Sequence, residues 1–243
     1  MQMRFRFSLA VMAVSLVASV LPAQQGTVSK TQGAYTTSQD AERLPNLDWF
    51  KHELRQYHDC TCTCGCYTKD FDGQAQKALA FLEQRAGHRQ PGEKLALVLD
   101  IDETTLSNWP EMAQRDFAFD NAAFDLWARQ AKGTALDGTL RLYKAAQRLG
   151  VSVFFVTGRP ESEREATERN LRAQGFDHWQ GLMLRAADQL KTPTVEYKST
   201  ARRGIVQQGY ALVLNAGDQW SDLRGAPEAE LSVKYPNPFY FIP

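Results

Sequence analysis

Three short stretches of the chain are apolar at almost every position: "LALVLD" at 95–100, "VSVFFVTG" at 151–158 and "YALVLNAGD" at 210–218. A weaker fourth, "GLMLR", occupies 181–185. None alternates apolar with polar residues as a strand with one wet face does, so all four read as strands buried on both faces of a parallel sheet. Segments of helical spacing lie between them, at 136–149, 160–174 and 197–208. The middle segment opens with Pro160 and Glu161, which suit a first turn, and stops at Gly175. Strand-helix alternation predicts an α/β fold. Ahead of the first strand, 46–58 carries Leu47, Phe50 and Leu54 on one side. The segment 69–86 lines up Phe71, Ala75, Ala78, Leu79 and Leu82. Both read as flanking N-terminal helices.

The first 45 residues follow another pattern. Arg4 and Arg6 precede an apolar run over 7–21, and small residues follow around Ala23. That layout predicts a secretory signal peptide over 1–23. The run falls short of the roughly 20 residues of a spanning helix. Residues 24–45 are rich in Ser, Thr, Gln and Gly and read as a flexible leader. Residues 46–243 are then the folded domain. We expect a periplasmic or secreted protein, free of the membrane after cleavage.

Composition adds little and excludes something. Apolar residues make up 43% and charged residues 23%, ordinary for a folded domain. The formal charge is zero, and after cleavage 26 basic residues face 28 acidic ones. No polybasic footprint points to a nucleic-acid polymer or an anionic membrane.

The polar residues of interest sit at the ends of the predicted strands, where parallel sheets bind ligands. "LVLDIDETTLSN" holds Asp100, Asp102, Thr104 and Asn108. Two carboxylates this close repel by about 4 kcal/mol at ~4 Å and an intermediate dielectric, which a bound cation would offset. A carboxylate is also a nucleophile toward phosphorus, and a second acid beside it can protonate the leaving oxygen and then activate water. "FFVTGRP" offers the Thr157 hydroxyl and the backbone N–H groups of Gly158 and Arg159, expected at a helix N-terminus that suits phosphate. "VEYKSTARR" offers Lys198 as a compact positive charge opening a helix. "LNAGDQWSDL" puts Asp218 and Asp222 four apart, where they would share a face of one helical turn as oxygen ligands suited to Mg2+.

In order and spacing, "LVLDIDETTLSN", "VTGRP", "YKS..R", "GDQWSDL" and the C-terminal "PNPFYFIP" resemble the haloacid dehalogenase superfamily. More narrowly they resemble its secreted acid phosphatase branch, which includes class B and C acid phosphatases, plant acid phosphatases and vegetative storage proteins. The resemblance implies a Rossmann-like parallel sheet with a small helical insertion in place of a large cap. It implies an Mg2+-dependent phosphomonoesterase that forms an aspartyl-phosphate. Asp100 would be the nucleophile and Asp102 the general acid and base. Thr157 and Lys198 would hold the phosphoryl oxygens. Mg2+ would be held by Asp100, the Asp102 carbonyl and Asp218, with Asp222 in support. A catalytically silent storage or binding protein on the same scaffold is the alternative.

Two features lie beside this site. The insertion at 109–133 holds Trp109, Phe117, Phe119, Phe124 and Trp127, rings able to stack a nucleobase or aryl group or to pack the local core. Nucleoside monophosphates are therefore candidate substrates beside simple monoesters. The run "HDCTCTCGCY" holds all four cysteines, Cys60, Cys62, Cys64 and Cys66. Neighbours two apart close a strained ring, so Cys60–Cys66 or intermolecular bonds are easier. One extended run serves a tetrahedral zinc site poorly, and export favours disulfides. His52 and His58 read as solvated.

Overall fold

The computed structural model describes residues 46–62 and 66–243. The expected signal peptide, the leader and Cys64 lie outside the described residues. Two helices, α1 (Leu47–Asp59) and α2 (Tyr67–Gly87), precede strand β1 (Lys94–Leu99). A small insertion follows, made of β2 (Leu106–Ser107), α3 (Trp109–Gln114), α4 (Asn121–Gln130) and β3 (Thr134–Ala135). β2 and β3 pair antiparallel and close its base. The rest alternates: α5 (Asp137–Arg148), β4 (Ser152–Pro160), α6 (Arg164–Ala173), β5 (Gly181–Arg185), α7 (Thr194–Gln207), β6 (Tyr210–Gly217), α8 (Trp220–Leu223) and β7 (Leu231–Lys234).

The main sheet runs β5-β4-β1-β6-β7, and all its pairings are parallel. The chain builds outward from β1 through β4 to β5, then crosses to β6 and β7 on the other side. That change of direction opens a crevice at the carboxyl ends of β1 and β6.

Alternate strand residues serve opposite faces, as the two-residue period requires. Leu95, Leu97, Leu99, Val153 and Phe155 join the larger core with Phe71 and Leu82 of α2 and Leu142 of α5. Ala96, Val98, Phe154 and Val156 pack with Tyr197 and Ile205 of α7 on the other face. The α2–α5 approach is close: a Cβ on Gly138 would stand 2.6 Å from the Ala75 Cβ. The consecutive apolar runs therefore fold as the predicted α/β architecture, with helices on both faces of the parallel sheet.

Several local expectations change. β4 does not stop at Gly158 but continues to Pro160, a 3-10 turn covers Glu161–Glu163, and α6 begins only at Arg164. The Gly158 and Arg159 amides are thus part of an extended strand end, not a helix N-terminus. α7 begins at Thr194, so Lys198 lies in its second turn instead of opening it. The apolar pattern does not mark β7, β2 or β3, because they are short. In β7 only Val233 is buried, so no apolar run marks that edge strand.

The cysteine run joins α1 to α2. Cys60, which caps α1, is disulfide-bonded to Cys66, which precedes α2, with the Cα atoms 5.8 Å apart. Cys62 is also disulfide-bonded, and no described cysteine is free. His58 is not solvated: its ring stacks on Trp109 at 3.6 Å and on Tyr67 at 5.2 Å. No described helix is long and apolar enough to cross a membrane.

Leu97 lies fully buried at the centre of β1. Leu97→Ala should cost about 2–5 kcal/mol of stability, the range for a large-to-small change in a core that cannot collapse. Urea denaturation followed by far-ultraviolet circular dichroism checks it.

Candidate active site

Register assembles the site. Leu99 pairs with Phe155 on one side and Ala216 on the other, so Asp100 emerges between the ends of β4 and β6. Its amide donates to Ala216 O at 3.0 Å, and its carbonyl accepts from Thr105 Oγ1 at 2.6 Å. Thr157 and Asp218 follow one step further along the flanking strands. The turn after β1 folds back on itself: the Thr105 and Leu106 amides both donate to Ile101 O at 2.8 Å. Glu103 takes a left-handed backbone there, at φ 54°.

Lys198 comes across from α7. Its ammonium group is buried, donates to Asp100 Oδ1 and to Val156 O, and pairs with Asp222 Oδ1 at 3.0 Å. Burial works against the lysine's charge, but Asp100 and Asp222 outweigh it and hold its pKa above the ordinary value. Burial pushes Asp100 well above the carboxylate range, Lys198 opposes that, and the neighbouring acids add to it. One turn along α7, the buried Arg202 donates to the carbonyls of Asp222, Arg224, Gly225 and Pro227 at 2.6–3.0 Å. It fixes the loop that carries Asp222.

Asp218 and Asp222 do not share one helical turn. Asp218 directly follows β6, and Asp222 lies in α8, where its Oδ2 accepts from the Gln219 amide at 2.9 Å. Asp222 packs on Gly217 so closely that a Cβ there would meet the Asp222 Cβ at 2.4 Å. Carboxylate oxygens of Asp100, Asp218 and Asp222 lie within 4.8 Å of one another. Burial and Asp222 push Asp218 up to about 6. Buried acids that resist ionisation together, and offer only hard oxygen atoms, fit a divalent cation. Asp222 belongs to this cluster directly.

Asp102 faces elsewhere. Its carboxylate accepts from Arg159 Nη2 at 2.6 Å, from Arg159 Nε at 3.1 Å and from Asn108 Nδ2 at 2.8 Å. Burial would raise its pKa, but the Arg159 charge and these hydrogen bonds hold it below the usual range. Asn108 is itself pinned: Trp127 Nε1 donates to its Oδ1 at 2.8 Å, and its amide donates to Glu103 Oε1 at 2.5 Å. Burial, with Asp102 nearby, pushes Glu103 up to about 8. Thr157 is fully buried, and its Oγ1 accepts from the Arg159 amide at 3.2 Å.

The six residues named from sequence thus divide into two centres. Asp100, Lys198, Asp218 and Asp222 form one, Asp102 with Arg159 forms the other, and Thr157 lies on the strand that carries Arg159. The side chains of Arg159, Asn108, Arg202, Gln219 and Asn237 had no assigned role. Arg159 and Arg202 stood inside quoted motifs, and a buried arginine needs acceptors, but only the fold reveals which. Of the insertion's rings, Trp109 and Phe117 pack on the core. Phe124 lies 5.9 Å from the Arg159 guanidinium and 5.9 Å from Phe119, which is 72% exposed.

A parallel sheet with a buried acid–lysine pair at the end of its central strand and two further acids beside it defines an α/β protein with a charged cluster at its strand ends. The family model of HAD superfamily, subfamily IIIB (Acid phosphatase), matches residues 18–243, and the chain belongs to that family. It is 40% identical over 148 residues to acid phosphatase 1 of Solanum lycopersicum, covering 60% of this chain and 58% of that one. It is 31% identical over 205 residues to a stem 31 kDa glycoprotein of Glycine max, covering 79% of each. Vegetative storage protein 1 of Arabidopsis thaliana is 34% identical over 150 residues, covering 60% of this chain and 55% of that one. The chain spans about three fifths of the length of the first relatives, 58% and 61%. A class C acid phosphatase from Bacillus anthracis shares the fold with a TM-score of 0.65 and 22% identity, covering 80% of this chain and 86% of that one.

Two outcomes follow from this geometry. Glu103 and Asp218 keep protons in the folded chain at pH values where the unfolded chain has lost them. Metal-free stability should therefore fall as pH rises from about 5 to about 8, read as the urea midpoint in chelator. Gly217→Ala should displace Asp222 and weaken divalent-cation binding by about 10–100-fold, read by titration calorimetry.

Proposed function

We propose that this chain is an exported, Mg2+-dependent phosphomonoesterase working through an aspartyl-phosphate on Asp100. The observation that carries this reading is the buried contact between Asp100 and Lys198 beside Asp218 and Asp222. A phosphate dianion approaching a carboxylate nucleophile needs positive charge on its far oxygens. Lys198 supplies one such charge, and the Thr157 hydroxyl is a second contact for the phosphoryl group. Mg2+ held by Asp100, the Asp102 carbonyl, Asp218 and Asp222 would polarise the phosphoryl oxygen as a Lewis acid. The Bacillus anthracis relative binds tungstate, a tetrahedral oxyanion like phosphate.

Asp100 Oδ attacks phosphorus, and the P–O bond to the leaving group breaks as the Asp100–phosphorus bond forms. Asp102 gives its proton to the leaving oxygen. It then takes a proton from water, which attacks phosphorus and frees Asp100 and inorganic phosphate. Arg159 favours the ionised form of Asp102 that this second step needs. The first step needs the protonated form, and the negative charge of the arriving phosphate raises the Asp102 proton affinity toward it.

The leaving group extends on the Asp102 side, toward Arg159, Phe124 and the exposed Phe119. Flat rings suit that ledge, so aryl phosphates and nucleoside monophosphates are the proposed substrates, a 5'-nucleotidase activity included. The storage-protein relatives favour a second reading, a silent storage or binding protein. The presence of Asp100, Asp102, Lys198 and Asp218 speaks for the enzyme.

Phosphate release from an aryl phosphate and a series of nucleoside monophosphates, with Mg2+ and with chelator, tests this. Release should require Mg2+, and Asp100→Asn should lower it by on the order of 10^4-fold or more. A folded protein that binds Mg2+ yet releases no phosphate from any substrate would sink the enzyme and leave the storage reading.

A further inference from the structure

The C-terminal run "PNPFYFIP" is a recognisable motif to which the reaction assigns no task. In the fold it is a strap across the metal-binding corner. The Tyr235 amide donates to Gly217 O at 2.9 Å, directly before Asp218. Asn237 Nδ2 then donates to Asp218 Oδ2 at 2.7 Å, and Gln219 Nε2 donates to the same oxygen at 2.7 Å. Thr104 Oγ1 donates to the other oxygen at 3.0 Å. A carboxylate has about four acceptor positions. These donors take three, which fixes the side chain while its neighbours Asp100 and Asp222 stand within 4.8 Å.

The strap also fixes the donors. The Phe239 amide donates to Asn237 Oδ1 at 2.9 Å, and the Ile242 amide donates to Gln219 Oε1 at 3.1 Å. A side-chain amide whose oxygen is committed to a backbone N–H must turn its NH2 group the other way. Both NH2 groups are thereby aimed at Asp218. Ser221 Oγ ties the strap separately, donating to Ile242 O at 3.1 Å.

We propose that Asn237 is a positioning residue for Asp218, and that the C-terminal strap, through Asn237 and Gln219, is part of the divalent-cation site. This rests on the metal-dependent reading above. Partners behind a metal ligand set its direction, and losing one weakens metal binding by about 10–100-fold.

Titration calorimetry with Mg2+ on the full chain, with unfolding in chelator alongside, tests the strap. Asn237→Ala should raise the Mg2+ Kd by about 10–100-fold. Ser221→Ala leaves the Asn237–Asp218 bond in place and loosens only the Ile242 end that orients Gln219, so it should raise Kd by clearly less than Asn237→Ala does. Asn237→Ser keeps an oxygen for the Phe239 amide, and it replaces Asn237→Ala if that variant does not fold. Equal Mg2+ binding by the parent and the Asn237 variant overturns the proposal, as does an equal loss in Ser221→Ala. A parent chain that binds no Mg2+ overturns the metal reading itself, a distinct result.

Discussion

One buried ammonium group holds this sheet end together. Lys198 faces Asp100 and Asp222 and also bonds the carbonyl of Val156. Removing such a charge from water costs several kcal/mol, and only close partners offset it. Those partners come from β1, β4 and α8, so the lysine joins three elements that are far apart in sequence. The acids depend on it equally, since three buried carboxylates would otherwise repel. Arg202, one turn further on α7, extends the same logic to the backbone, and its carbonyl partners fix the loop behind Asp222. One helix face thus holds both a side chain of the site and the chain segment that supports it.

The second charged pair is kept apart from the first. Asp102 is two residues from Asp100, yet its carboxylate turns to Arg159 and Asn108. That separation suits the proposed division of labour, in which one carboxylate attacks phosphorus and the other moves protons. The insertion maintains it. Trp127 and Glu103 hold Asn108 from two sides, and Phe124 lies against Arg159. The small helical insertion acts on the acid's surroundings instead of closing over the site as a large cap would.

Around these centres the fold uses both of its peripheral segments. At one end, the Cys60–Cys66 bridge sets α1 against α2, and His58 and Tyr67 enter a ring cluster with Trp109 and Phe239. At the other end, Phe239 belongs to the strap that reaches Asp218. The Cys60–Cys66 bridge therefore anchors the ring cluster on which the strap rests.

The sequence by itself determined four strands of the main sheet, β1, β4, β5 and β6, their parallel arrangement and the ends at which polar residues gather. Continuous apolar runs leave no wet face, and a strand buried on both sides admits few other architectures. It also marked Asp100, Asp102, Thr157, Lys198, Asp218 and Asp222, because acids and a lysine beside such runs need compensation. It did not determine where β4 gives way to α6, since Pro160 suits a strand end as well as a first turn. Nor did it separate Asp102 from the other acids or give Arg159, Asn237 and Gln219 their partners. Arg159 meets Asp102 across 57 residues and Asn237 meets Asp218 across 19, and only tertiary packing decides which donor meets which acceptor. The strap shows this most plainly: "PNPFYFIP" is visible as a motif, but its purpose lies in a carboxylate about 20 residues earlier that the fold returns to its side.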